Sequence, residues 1–241
     1  MTNNPSRSSS KVKQGGDERT PAGGTPAGAP PLRGDPSAAT QTVQVARPGV
    51  REEANTVSPM KLSGKKFRIA TTSLAGCFGC HMSFLDMDER LVELLEHVEF
   101  DRSPLTDTKH CGPCDIGLVE GGLCNADNVH VLREFRDNCR ILIAVGACAI
   151  NGGVPAMRNH FSLRACLEES FLNGVGVENP QIPDDVELPL LLDKVHPIHE
   201  VVHVDYYLPG CPPSADEFLS VLGDLLAGSE PALPKKLIHY D

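Results

Sequence analysis

The sequence predicts an α/β fold, a doubly wound parallel sheet, for the part of the chain that follows about residue 65. Two observations predict this fold. Short apolar segments alternate with segments in which apolar residues recur at helical spacing, which is typical of parallel strands joined by right-handed helical crossovers. The segment 140–148 (RILIAVGAC) is continuously apolar, as expected for a central strand that helices cover on both faces.

The other elements follow from the same patterns. The segment 125–138 places Val129, Leu132 and Phe135 on one helical face. The segment 200–208 (EVVHVDYYL) is rich in β-branched and aromatic residues, which favours a strand. The predicted strands lie at 66–74, 98–102, 115–121, 140–148 and 200–208. The predicted helices lie at 83–97, 125–138, 163–172 and 215–227.

The first 60 residues have a composition that disfavours folding. They contain eight Pro and seven Gly, and they cannot bury enough apolar surface to offset the entropy lost on ordering. We therefore predict a disordered Pro/Gly-rich extension at 1–62 and one folded domain at 63–241. A length of about 180 residues is sufficient for one doubly wound domain with its own core.

Composition and charge exclude several classes of protein. The chain carries a net charge of −10, and residues 1–60 hold seven basic and five acidic side chains, so the remainder carries −12. Non-specific nucleic-acid binding needs a basic face and is not expected. We see no apolar signal segment, no twin-arginine signal and no run of about 20 apolar residues, so we expect a cytoplasmic protein without a membrane span. Nine Cys in a reducing compartment indicate metal binding or catalysis before disulfides.

Four cysteines follow three of the predicted strands. Cys77 and Cys80 (GCFGC) come after the first strand, Cys148 ends the strand at 140–148, and Cys211 (PGCPP) comes after the last strand. Ligands bind open α/β sheets at the carboxyl ends of the strands, where helix N-termini favour anions. An anionic [4Fe-4S] cluster with four thiolate ligands fits such an edge. The alternative is that some of these cysteines, Cys148 above all, are buried apolar thiols.

The other cysteines leave two alternatives open. Cys111-Gly-Pro-Cys114 has the dithiol sequence of thioredoxin-like oxidoreductases, but it precedes a predicted strand, where no helix dipole lowers a thiol pKa. With Cys124 and Cys139 it also offers enough thiols for a second metal site, although their spacing is uneven.

Several motifs resemble the small subunit of [NiFe] hydrogenases, in particular the soluble, bidirectional, NAD-reducing type. These motifs are GCFGCHMSFLD at 76–86, VEG at 119–121, VGACAINGGVPAMRN at 145–159 and LPGCPP at 208–213. The resemblance extends from about residue 66 to residue 241, and the predicted sheet is accordingly a flavodoxin-like doubly wound parallel sheet.

The resemblance implies a set of ligands and partners. Cys77, Cys80, Cys148 and Cys211 would bind one [4Fe-4S] cluster next to a Ni–Fe site that a separate large subunit holds. Electrons would pass to a diaphorase module with Fe–S clusters, FMN and NAD, for the reaction H₂ + NAD⁺ = H⁺ + NADH. No catalytic residue is expected in this chain. Glu120 ends a predicted strand at the same edge, where its carboxylate could serve a proton path, cap a loop or lie at the large-subunit interface.

Other functions remain open on the sequence. The chain could be the equivalent subunit of a complex I-like or another cytoplasmic hydrogenase complex, although the complex I subunit has adjacent cysteines where this chain has C-F-G-C. A stand-alone flavodoxin-like protein with FMN is a further alternative, because that fold binds FMN at the same edge. The third is a thiol oxidoreductase that uses Cys111 and Cys114.

Overall fold

The structure is a computed structural model that describes residues 66–233. The predicted extension at 1–62 lies outside the described residues, as do residues 234–241 of the predicted domain. Among the helices of residues 66–233, none has the length and apolar character that crossing a membrane requires.

Strands and helices alternate along most of the described chain, as predicted. The strands are β1 (Phe67–Ser73), β2 (Val98–Phe100), β3 (Cys114–Glu120), β4 (Leu123–Asn125), β5 (Cys139–Val145), β6 (Leu191–His196) and β7 (Tyr206–Leu208). The α-helices are α1 (Gly79–Leu85), α2 (Glu89–Leu95), α3 (Ala126–Asn138), α4 (Gly146–Asn151), α5 (Leu163–Phe171) and α6 (Ala215–Leu226). Two 3₁₀ helices lie at Val154–His160 and Ile198–Glu200.

Five strands form one parallel sheet in the order β2-β1-β3-β5-β7. This is the flavodoxin-like order, in which the strand order reverses between β1 and β3. The predicted fold class is therefore confirmed. The register aligns the carboxyl ends of four strands in one row, because Ser73 pairs with Glu120, Glu120 with Val145, and Val145 with Leu208.

The core lies in two layers, one on each face of this sheet. Alternate residues of a strand point to opposite faces, and β5 shows this clearly: Ile141 and Ile143 pack with Phe84 and Phe218 in one layer. Leu142 packs in the other layer, against the face of α3 that the helical periodicity predicted. The continuous apolar run of β5 is thus explained by burial on both faces.

Two predicted elements differ in the structure. The helix predicted at 83–97 is two helices, α1 and α2, because Asp88 takes a positive φ of 51° between them. The strand predicted at 200–208 forms only at its end, as β7. Val201 and Val202 are buried against the α3 layer without pairing. β-Branched residues indicate a buried surface as much as a strand, which is why the segment was mispredicted.

Two short strands were not predicted. β4 and β6 form an antiparallel pair outside the main sheet, in which Leu123 pairs with His196. β6 lies mostly exposed, so its sequence has no apolar pattern that would reveal a strand. The pair places the segment after β3 beside the 3₁₀ helix Val154–His160, since Asn159 Oδ1 accepts a hydrogen bond of 2.7 Å from the amide of Val195 in β6.

Candidate metal centre

The four cysteines predicted as cluster ligands line one cleft at the carboxyl edge of the sheet. The cleft encloses about 360 Å³ of empty space that opens to solvent, and Glu120 at the end of β3 also lines it. Cys77 and Cys211 are exposed, whereas Cys80 and Cys148 are half-buried. The chain thus gathers four soft sulfur donors from three separate loops and helix starts at one place.

The loop after β1 positions the first two thiols. Phe78 takes a positive φ of 66° and precedes α1, so the chain turns sharply between Cys77 and Cys80. Cys80 lies in the first turn of α1, and the amide of Gly79 lies 3.4 Å from Cys77 Sγ as a donor. Because both residues are at the start of a helix, free backbone N–H groups lie near the thiols.

Cys148 lies beyond the end of its strand, which corrects the sequence prediction. β5 ends at Val145, and Cys148 belongs to α4. Gly146 takes φ 78°, a left-handed conformation that ends the extended strand and starts the helix. The apolar run continues through this change of direction, so hydrophobicity alone did not show where the strand stops.

The last thiol is held by a turn between β7 and α6. Gly210 takes φ 131°, and the Cys211–Pro212 peptide bond is cis. α6 begins with a capping box in which Ser214 and Glu217 bond to each other's backbone amides. The Gly210 carbonyl accepts a hydrogen bond of 2.9 Å from the amide of Ala147. The loops that carry Cys148 and Cys211 are therefore tied to each other.

The residues of the cleft fit an iron–sulfur cluster. Burial raises the pKa of the Cys80 thiol, and the charges of Glu120 and of the other three cysteines raise it further. Burial also raises the pKa of Cys148. Thiolates in such surroundings need a cationic partner, which the iron of a cluster provides. A Cβ on Gly153 would lie 2.8 Å from Cys148 Sγ, so glycine keeps space beside this thiol.

The comparisons with known proteins agree with this geometry. Residues 77–225 match the model of the family "NADH ubiquinone oxidoreductase, 20 Kd subunit". The chain belongs to this family. Binding of an iron–sulfur cluster is a property of this family and therefore of this member.

Its relatives are hydrogenase subunits, as the sequence motifs predicted. The delta subunit of the NAD-reducing hydrogenase HoxS of Cupriavidus necator is 49% identical over 180 residues, which cover 73% of this chain and 86% of that subunit. One subunit of the F420-non-reducing hydrogenase of Methanothermobacter marburgensis is 38% identical, and the match covers 70% of this chain but only 56% of that subunit.

A solved structure shares both fold and sequence with this family member. A chain of the NAD⁺-reducing [NiFe]-hydrogenase crystallised in the H₂-reduced state is 59% identical, with a TM-score of 0.72, and the match covers 73% of this chain and 100% of that chain. The resemblance to small subunits of NAD-reducing hydrogenases is therefore confirmed.

Glu120 lies where the sequence predicted, at the end of β3 beside the cleft, and it has a partner that the sequence did not reveal. Its carboxylate accepts hydrogen bonds from Ser73 Oγ (2.7 Å) and from the His81 amide (2.8 Å). His81 Nδ1 lies 2.9 Å from the same carboxylate, and both side chains are buried. His81 directly follows Cys80, but only the orientation of α1 shows that it points inward.

The surroundings of Glu120 favour its ionised form. Burial raises the pKa of this carboxyl, but hydrogen bonds from His81 and Ser73 and the charge of His81 together outweigh burial and lower it. A group whose folded-state pKa is lowered contributes stability above its unfolded pKa and loses that contribution as pH falls through the folded value. The buried pair is thus expected to stabilise the protein at neutral pH.

Glu120→Gln is expected to lower the free energy of unfolding by about 1–3 kcal/mol at neutral pH, because it leaves buried donors poorly matched. The difference from the wild type should shrink as pH falls from neutrality through the lowered folded-state pKa of Glu120, below which the wild-type carboxyl is protonated as well. Thermal unfolding of both proteins across this pH range measures it. Glu168→Gln is the matched control, since Glu168 forms an exposed i,i+4 pair with Arg164 and should change little. A pH-independent difference would contradict an ionised Glu120 carboxylate.

Four of the five remaining cysteines divide between two places, and the fifth, Cys166, lies in α5. Cys111, Cys114 and Cys139 lie buried in the same core layer at the amino-terminal edge of the sheet, away from the cleft. Cys124 lies in β4 instead, with its Sγ 3.2 Å from Asn128 Oδ1 of α3. Cys124 therefore lies apart from the other three thiols of the alternative four-thiol metal site. Cys114 begins β3, so the dithiol motif has no helix after it, as the sequence indicated.

Proposed function

We propose that this chain is the electron-transferring small subunit of a cytoplasmic NAD-reducing [NiFe] hydrogenase, which catalyses H₂ + NAD⁺ = H⁺ + NADH. The observation that carries the proposal is the convergence of Cys77, Cys80, Cys148 and Cys211 on one cleft. It is supported by the similarity to the delta subunit of an NAD-reducing hydrogenase and to a chain of a solved enzyme of that kind.

The same four cysteines are proposed to hold a single [4Fe-4S] cluster. When bound, such a cluster accepts and donates one electron at a time. The chain contributes the thiolates, and it contributes backbone N–H groups at the starts of α1 and α4 that stabilise negative charge on the sulfurs. The hydrogen chemistry itself is assigned to the large subunit, so no catalytic residue is proposed in this chain.

We infer that a partner surface lies near the cleft. Exposed apolar side chains occur at Met82 in α1 and at Val154, Met157 and Phe161 in and after the 3₁₀ helix that follows α4. Met82 comes two residues after Cys80, and Val154 follows Gly153, which lies beside the Cys148 thiol. Exposed apolar side chains near a functional site often belong to a protein interface. We assign this surface to the large subunit that carries the Ni–Fe site, because an electron donor must lie close to Cys77 and Cys211. The diaphorase subunits complete the proposed complex.

Glu120 is proposed to position His81 and the start of α1 beneath the cleft. The carboxylate accepts a hydrogen bond from the backbone amide of His81 and lies against the His81 ring. It therefore fixes the position of the residue that follows Cys80. A role in a proton path would require contact with a group of the large subunit. The low exposure of Glu120, 3%, favours the positioning role.

Purification of the full chain with its bound partners tests the function. A large subunit with nickel, flavin-containing diaphorase subunits and H₂-dependent reduction of NAD⁺ are expected. Activity with a quinone, ferredoxin or deazaflavin in place of NAD⁺ would support the alternative of a complex I-like or different hydrogenase complex. Flavin bound to this chain without iron would support the stand-alone FMN protein.

A further inference from the structure

A second group of metal-binding side chains lies at the opposite edge of the sheet from the cleft. Cys114 is the first residue of β3, Cys139 is the first residue of β5, and the two are register partners. Cys111 lies three residues before β3, and Asp101 directly follows β2. Three of these potential ligands lie at or just before the amino-terminal ends of β3 and β5, and Asp101 reaches them from the segment after the short edge strand β2.

The distances among three members of this group suit one small metal ion. The donor atoms of Asp101, Cys111 and Cys114 all lie within 4.8 Å of one another. Cys139 is outside this set of three, and its Sγ lies 3.9 Å from Cys111 Sγ, at the distance of a hydrogen bond between two thiols. Two sulfurs bound to one tetrahedral zinc ion at about 2.3 Å each are about 3.8 Å apart, whereas the sulfurs of a disulfide are about 2.0 Å apart. The observed separation excludes a disulfide, and it fits both two reduced thiols in contact and two ligands of a shared ion.

The backbone holds the carboxylate of Asp101 in place. Its Oδ1 accepts hydrogen bonds from the amides of Gly112 (3.0 Å) and Arg102 (2.8 Å), and its Oδ2 pairs with Arg68. Such second contacts are typical of metal-ligating carboxylates, whose orientation they fix. The bond from Gly112 also ties Asp101 to the turn between Cys111 and Cys114.

Positive charge surrounds the group and offsets the charge of several thiolates. Arg68 lies beside Asp101 and also donates to the carbonyl of Pro113 within the dithiol turn, at 3.0 Å. On the other side, Arg136 Nη2 donates to the carbonyl of Cys139 at 2.7 Å. An anionic zinc–thiolate site is therefore electrostatically tolerated here.

Burial separates this group from a thiol oxidoreductase. Cys111, Cys114 and Cys139 are 5%, 7% and 3% exposed, so an external disulfide cannot reach the sulfur atoms. The motif runs into β3 and has no helix N-terminus to stabilise an attacking thiolate. Closed burial is instead the rule for structural metal sites.

We propose that Asp101, Cys111 and Cys114, with Cys139 turned toward them as the fourth ligand, form a second metal site of this chain, a structural zinc site that joins the segment after β2 to the amino-terminal ends of β3 and β5. Binding releases the protons of the three thiols to solvent. The site is independent of the function proposed above, because it lies at the other edge of the sheet from the cleft. It contributes to folding and carries no electrons.

Zinc and iron contents of the purified complex test the site. About one zinc per chain is expected for a closed structural site. Cys111→Ser and Cys114→Ser should each remove most of that zinc and leave the iron content unchanged. Cys166→Ser is the matched control, because Cys166 lies on α5, remote from the group in sequence and half-buried, and should keep both metals.

A second measurement keeps the test decisive if the serine variants do not fold. The wild-type complex grown with Co²⁺ in place of Zn²⁺ should show thiolate-to-cobalt charge-transfer absorption and the bands of tetrahedral Co²⁺. Wild-type complex that carries no zinc and shows no cobalt spectrum would overturn the proposal. A disulfide among Cys111, Cys114 and Cys139 in peptides of the native complex would overturn it as well, in favour of a buried redox pair.

Discussion

Replacement of Cys211 by Ser is expected to remove the iron of this chain and to abolish H₂-dependent NAD⁺ reduction. The turn that carries residue 211 is held by Gly210 and three prolines, so serine should occupy the same place. A serine hydroxyl is a hard, largely protonated donor that binds iron of a cluster poorly. Cys148→Ser should act likewise. Activity should fall below about a hundredth of the wild-type rate, since the thiolate ligand is lost; iron content and NADH formation measure the effect.

Cys111→Ser and Cys114→Ser provide the contrast, because their thiols lie at the other edge of the sheet. These variants should keep the iron of the cleft. Their zinc content and their thermal stability should fall instead. If they lost iron while the Cys148 and Cys211 variants kept it, the cluster would lie at the amino-terminal edge. The proposed assignment of ligands would then be wrong.

The sequence predicted the sheet because burial on both faces leaves a clear signal. The run that became β5 and the helical face of α3 both reflect packing in the two core layers. Elements stabilised in other ways were missed or misplaced. β6 pairs with β4 while mostly exposed, and Val201, Val202 and Val204 are buried without pairing, so neither segment follows the apolar pattern of its class.

The cysteines of the candidate site could be predicted from the sequence, but the residues that surround and position them could not. Gly-rich turns with cysteine after successive strands indicated one ligand edge, and the register of Ser73, Glu120 and Val145 shows why these turns meet. The pairing of Glu120 with His81 depends on the rotation of α1, which no local pattern encodes. Likewise, Asp101 joins Cys111 and Cys114 only through the parallel alignment of β2, β1 and β3.

The two edges of the sheet thus carry different chemistry. At the carboxyl edge, two of four thiols are exposed in an open cleft, which suits electron exchange with a partner. At the amino-terminal edge, Cys111, Cys114 and Cys139 are buried beside arginine side chains, which suits a structural ion. This division follows from the fold, because the loops that bind ligands in such sheets lie at the carboxyl ends of the strands. Residues at the opposite ends of the strands can therefore serve to stabilise the fold.

Gly146→Ala is expected to prevent iron binding in the cleft, although it removes none of the proposed ligands. Gly146 takes φ 78°, where a residue with a side chain costs about 1–2 kcal/mol. A Cβ at this position would also collide with Cys80 Sγ. Since α1 fixes the backbone of Cys80, its thiol can escape only by rotating away from the other three. The iron content and the H₂-dependent activity should therefore fall severely, and the midpoint of thermal unfolding should fall with them.

Gly223→Ala is the matched control, because an added methyl group there meets nothing within 4 Å. Gly223 lies inside α6, where alanine should stabilise the helix by about 0.5–1 kcal/mol and leave iron unchanged. The two variants make the same chemical change, so the difference between them reflects the two features of position 146, its positive φ and the space beside the Cys80 thiol. A Gly146→Ala protein with full iron and activity would show that Cys80 does not face this glycine when the cluster is bound, and Cys80 would no longer qualify as a ligand.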